Sequence, residues 1–107
     1  MEPIALTEPV FLVLLSLAEQ SRHGYSILKD VERMSDGRVK LSTGTLYGAL
    51  RRLLEQDWIE RVEEEEAPRE RRPYRLTSRG RRNLQAEIER MRRLTKVAAL
   101  RIARKEV

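Results

Sequence analysis

Six consecutive apolar side chains, Val10 to Leu15, open a 107-residue chain in which 36% of residues are charged. A stretch that apolar, if helical, has to be buried on more than one side. Thr7 offers an N-cap, and Glu8 and Pro9 fall in the first turn, where a negative charge and a missing N–H are both favourable. Even extended to Leu17 and Ala18 the run is far short of the roughly 20 residues that span a bilayer. It therefore reads as the central helix of one folded domain with a modest core. Such a small domain has little with which to cover that helix, so part of its surface is expected to face another subunit. The alternative is a helix wrapped entirely by its own chain.

Composition excludes several function classes. The chain has no cysteine, so neither disulfides nor thiolate metal sites are available, and its one histidine, His23, stands outside any metal-ligand spacing. No metal and no cofactor is expected. The residues ahead of the apolar run carry Glu2 and Glu8 and no basic side chain, unlike a secretory signal, so a cytoplasmic protein without membrane attachment is expected. An enzyme is not expected either: no nucleophile–base pair, Gly-rich phosphate loop or metal cluster is present. Ser42, Thr43 and Thr45 look like caps and phosphate contacts.

The pattern along the chain predicts helix, helix, helix, hairpin, helix. Ser21-Arg22-His23-Gly24 reads as a polar turn, with His23 in a capping or packing role. Tyr25, Leu28, Val31 and Met34 then recur at helical spacing until Asp36-Gly37 stops the second helix. Tyr25 is expected to pack its ring and leave its hydroxyl free for a phosphate or a backbone partner. Ser42 or Thr43 caps a third helix running to about Gln56. Its apolar sector holds Leu46, Leu50, Leu53 and Leu54, and its outer face holds Gly44, Thr45, Gly48, Arg51, Arg52 and Glu55. Two glycines inside a helix each cost about 1 kcal/mol relative to alanine. Close approach to a DNA backbone or base edge would account for them; so would an easier helix start at Gly44 and a neighbouring helix packed on Gly48.

Ile59 to Glu63 and Pro73 to Thr77 read as the strands of a hairpin joined by a charged connector. The carboxylates Glu63 to Glu66 would repel phosphates, so that strand is expected to face away from DNA and pair with Arg69, Arg71 and Arg72. Thr77 or Ser78 caps a last helix of about 28 residues, about 42 Å long at 1.5 Å per residue. On it Leu84, Ile88, Met91, Thr95, Ala98 and Ile102 follow a near-heptad seam, widened by Leu94, Val97 and Leu100. The net charge of +5 is uneven: residues 1–68 hold 8 basic and 13 acidic side chains, residues 69–107 hold 14 and 4. The basic part of the last helix could equally be a solvated or nucleic-acid-binding arm.

His23-Gly24-Tyr25, then Gly44-Thr45-Leu46-Tyr47 with Arg52-Leu53-Leu54, then Tyr74-Arg75-Leu76-Thr77 with Arg79-Gly80-Arg81 occur in fixed order. Together they resemble the signature of the PadR family of winged helix-turn-helix transcriptional regulators, over roughly residues 7 to 82. Pro73 departs from the tyrosine or basic residue usual in that family. The resemblance implies a mainly α fold with a small β-hairpin. Residues 1–77 would form the winged helix-turn-helix DNA-binding domain and residues 78–107 a C-terminal dimerisation helix. It also implies a dimeric repressor on an inverted-repeat operator in double-stranded DNA.

On these grounds the expected DNA-binding residues are Tyr25, Ser42, Thr43, Thr45, Tyr47, Arg51 and Arg52, with Arg69, Arg71 and Arg72 from the wing. The expected homodimer interface comprises Val10, Phe11, Leu14, Ile88, Met91, Thr95, Ala98 and Ile102. Some relatives hold flat aromatic effectors between aromatic side chains at the dimer centre. Here the last helix has no aromatic residue and the first has only Phe11, so an effector pocket would be aliphatic. The acidic wing strand keeps a second reading open, a winged-helix module that binds protein instead of DNA.

Overall fold

The computed structural model describes residues 6–63 and 71–106. The elements run α1 (Glu8–Glu19), α2 (Gly24–Met34), α3 (Thr43–Glu55), β1 (Ile59–Arg61), β2 (Tyr74–Leu76) and α4 (Ser78–Glu106). Each helix starts where the sequence supplies a cap. Thr7 Oγ1 accepts from the Val10 amide at 3.4 Å, His23 Nδ1 from the Ser26 amide at 3.3 Å, and Ser42 Oγ from the Thr45 amide at 3.1 Å. His23 is thus a capping residue. For α4 the cap is Thr77, whose Oγ1 accepts from the Gly80 amide at 3.0 Å and donates to the Asp57 carbonyl at 2.6 Å.

The apolar run of α1 is absorbed mostly by its own chain. Val10, Leu12, Val13, Leu14 and Leu17 are buried against Ile27 and Val31 of α2, and Leu46, Ala49, Leu50 and Leu53 of α3. Ile59, Tyr74 and Leu84 close the same core. Leu14 has no exposed surface left and Val10 almost none, so the protomer itself covers these two expected interface residues. Phe11 and Leu15 stay half-buried. On α2 the predicted Val31 is buried, but so is Ile27, absent from the predicted face, whereas Leu28 is half-buried and Met34 exposed.

The wing is shorter than its predicted strands and has an extra edge. Ile59 pairs with Leu76, Glu60 with Arg75 and Arg61 with Tyr74, all antiparallel, and the Val62 amide donates to the Pro73 carbonyl at 2.8 Å. Arg22, expected in a polar turn, exchanges both backbone hydrogen bonds with Tyr74, at 3.0 and 2.8 Å. The buried Arg22 guanidinium then joins α1 to α2. It donates to the Ser16 carbonyl at 3.1 Å, Ser26 Oγ at 3.0 Å and Glu19 at 2.7 Å, and lies 3.7 Å from the buried Asp30 carboxylate. Buried charges persist only when paired in this way, so Arg22 clamps the wing to α1 and α2.

The joint between wing and α4 is equally tight. A Cβ on Gly80 would lie 1.9 Å from the Trp58 carbonyl oxygen, so only glycine fits there. Leu84 is buried and Ile88 packs half-buried on the core, but from Met91 to Lys105 every residue of α4 is exposed. This projecting half gives the molecule its 62 × 30 × 23 Å extents. Ile88 belongs in large part to the protomer's own core, and the apolar residues left uncovered begin at Met91.

Candidate nucleic-acid interface

The third helix turns its leucines inward and leaves a sparse outer face. Gly44 and Gly48 have nothing within 4 Å of where a Cβ would stand, so no neighbouring helix packs on Gly48 within the protomer. Thr43, Thr45, Arg51 and Arg52 are exposed around that bare surface. Ser42 Oγ, besides capping, donates to Thr45 Oγ1 at 2.9 Å, which holds both hydroxyls at the helix start. The free N–H groups and dipole of a helix N-terminus favour an anion there. Among the described residues, Arg51 and Arg52 belong to no ion pair.

Tyr47 is brought against the start of α2. A Cβ on Gly24 would lie 2.4 Å from the Tyr47 hydroxyl, so the glycine of the first sequence patch makes room for the tyrosine of the second. On its other side Tyr47 shares a small cleft with Leu50, Arg51, Leu54, Arg61 and Tyr74, where α3 meets the wing. Tyr25 does not pack its ring as expected. It is 64% exposed, with the Lys29 ammonium 5.5 Å from its ring centroid, because Ile27 takes the inward position of that turn.

The expected wing contacts divide. Arg69 and Glu64 to Glu66 lie outside the described residues. Arg71 is exposed, while Arg72 is half-buried and sits 3.6 Å from Glu63; Arg75 lies 2.8 Å from Glu60. Of the expected pairings, the one between Arg72 and Glu63 is seen, and Arg75–Glu60 is a further pair between wing strands. Sequence reasoning missed Arg22, Asp30 and Arg61. For Arg61 the signal was available, since period-two alternation puts it on the strand face opposite Glu60.

On the remaining surface, Met91, Leu94, Thr95, Ala98 and Ile102 share one exposed side of α4, and Thr95 returns its hydroxyl to the Met91 carbonyl at 2.8 Å. Between this helix and the start of α1 lies a groove of about 360 Å³ lined by Leu6, Glu8, Phe11, Leu12, Glu87, Arg90 and Met91. Arg90 pairs with Glu87, and Glu8 pairs with Arg38.

Residues 13–86 match the model of the transcriptional regulator PadR-like family. The chain belongs to the PadR-like family. The matched span takes in most of α1, all of α2, α3 and the wing, and the start of α4. A transcriptional regulator from Clostridium thermocellum is 26% identical, with a TM-score of 0.71 over 89% of this chain and 95% of that one. A PadR family transcription regulator from Clostridium difficile is also 26% identical, with a TM-score of 0.70 over 85% and 94%. Bacillus subtilis PadR, solved with operator DNA, shares the fold at 18% identity and a TM-score of 0.65, over 77% of this chain and 47% of its own. A curated relative, an uncharacterized 37.1 kDa protein in transposon TN4556 of Streptomyces fradiae, is 40% identical over 84 residues. The PadR-like chain covers 23% of that relative's length, and 78% of its own is aligned. This PadR-like chain is thus a transcriptional regulator by family, and among its described residues no helix is long and apolar enough to cross a membrane.

Proposed function

We propose that the protein is a cytoplasmic, dimeric repressor that binds an inverted-repeat operator in double-stranded DNA through residues 1–77 and dimerises through residues 78–107. The observation that carries the DNA reading is the outer face of α3. It is bare at Gly44 and Gly48, rimmed by Thr43, Thr45, Arg51 and Arg52, and has a capped N-terminus open to a phosphate. Ser42 and Thr45 would meet phosphates from the helix start, and Arg51 would reach a backbone oxygen or a guanine edge. Tyr47 and Tyr25 would flank the helix on the α2 side. The operator DNA bound by Bacillus subtilis PadR supports this reading.

Dimerisation is supported by the uncovered apolar side of α4. A second copy of that helix would cover Met91, Thr95, Ala98 and Ile102 and meet Phe11 across the groove. The isologous pairing of a twofold dimer would then set two recognition helices for two half-sites. The same groove, apolar with two carboxylates and one guanidinium at its rim, is where a small-molecule effector would bind and release the operator.

Selection of randomised duplexes on the purified protein, followed by fluorescence anisotropy of the enriched site at rising salt, tests the reading. Enrichment of a palindromic site, with affinity falling steeply with salt, is expected. Failure to enrich any sequence would favour the protein-binding alternative, for which the Arg72–Glu63 and Arg75–Glu60 pairs already speak by neutralising two wing arginines.

A further inference from the structure

The cleft where α3 meets the wing has a chemistry that the recognition surface alone does not explain. It measures about 140 Å³, has an apolar floor at Leu50 and Leu54, and is walled by Tyr47 and Tyr74. Its two charged lining residues are both arginines, Arg51 from the outer face of α3 and Arg61 from β1. The Arg61 guanidinium carbon stands 6.0 Å from the centroid of the Tyr74 ring. No carboxylate lines the cleft, and neither arginine has an ion-pair partner among the described residues. Arg72 and Arg75, by contrast, are matched to Glu63 and Glu60.

Two like charges converge on a concavity only at an electrostatic cost, which an anion placed between them would offset. The apolar floor strengthens that attraction by lowering the local dielectric. Both guanidiniums present planar forks suited to a phosphoryl group. Their backbones are well anchored as well. Arg61 pairs with Tyr74, and Tyr74 is held in turn by Arg22. At about 30 Å³ of liquid volume per water, the cleft has room for a phosphate group with water beside it.

We propose that this cleft binds a phosphodiester of the DNA backbone, with Arg51 and Arg61 as its ligands, at the point where a strand would pass from recognition helix to wing. The proposal rests on the DNA-binding reading and adds Arg61, which lies in the otherwise acidic wing strand, to the contact surface. The shared chemistry is a phosphoryl oxyanion, so a free phosphate compound is the other source to separate.

The test compares the full-length protein with Arg61→Ala and Arg61→Lys on the selected duplex, with melting temperature as a check on folding. Arg61→Ala should weaken binding about tenfold and lower the slope of log affinity against log salt by about one per bound subunit. Arg61→Lys should restore the slope, because a point charge still displaces a counterion. Wild-type affinity and slope in Arg61→Ala would overturn the proposal. So would a loss that lysine does not restore, since that marks a packing role. If the wild-type protein binds no duplex, the DNA reading itself fails, and inorganic phosphate becomes the probe. A phosphate-dependent shift of the Arg51 Nε–H resonance that vanishes in Arg61→Ala would then keep the phosphoryl site with a free ligand. No shift would end it.

Discussion

The third and last helices are both amphipathic, yet they leave opposite faces to the outside. In α3 the leucines are covered by the protomer, and what remains is a face with two bare glycines, threonines and arginines that have no ion pair among the described residues. Beyond Met91, α4 has no protomer beneath it, so Leu94, Val97, Leu100 and Ile102 are 41–62% exposed. The first surface is finished and waits for a polar ligand. The second is unfinished and calls for apolar cover. An amphipathic pattern therefore states only that one side of a helix will be buried, and the rest of the molecule decides by what.

The comparison breaks most sharply at Met91. If α4 is completed by a second copy, Met91→Asp should abolish self-association in sedimentation and weaken operator binding by at least about 100-fold, because the two half-sites lose their coupling. A wild-type protein that sediments as a well-folded monomer at micromolar concentration would show that α4 needs no such cover. Next in size is the hinge between the two surfaces. Gly80→Ala forces a Cβ onto the Trp58 carbonyl and should lower stability by about 1–3 kcal/mol in chemical denaturation, as overpacking generally does.

On the polar side the effects should appear in binding and hardly in folding. Arg51→Ala and Thr45→Ala are each expected to reduce operator affinity about tenfold, within the range of a lost DNA contact. Their melting temperatures should stay close to wild type, since both side chains are exposed. Two variants that bind normally would place the recognition surface elsewhere. Smallest of all should be Arg72→Ala. With its guanidinium 3.6 Å from the Glu63 carboxylate, the salt slope should change by less than about half a unit, whereas a full unit would mean the pair opens on DNA.

The cap at Thr7, the leucines of α3 and the length of α4 were legible in the sequence, which also narrowed two further caps to Ser42 or Thr43 and Thr77 or Ser78 and left His23 a capping or packing role. So was the PadR-like order of glycines and tyrosines, although not why Gly24 must accompany Tyr47: a hydroxyl from one helix rests where the other would carry a Cβ. Leu14 and Val10, expected at an interface, are instead buried in the protomer, because an all-apolar run does not disclose how many neighbours will surround it. Tyr25, expected to pack its ring, is exposed, and Ile27 is the buried side chain of that turn.

Local order along the chain sets what depends on neighbours three or four residues apart: where helices begin, which side of each is apolar, where strands replace them. Those relations are set by backbone geometry and short-range hydrogen bonds, and they hold wherever the element ends up. Tertiary structure alone decided that Arg22 would become a buried clamp on Tyr74 and Asp30. It alone set Arg51 and Arg61 against one cleft and withdrew the protomer from α4 beyond Met91. Each of these follows from the relative placement of whole elements, which is a sum of many weak packing terms spread over the core, and no single stretch of the chain carries that sum.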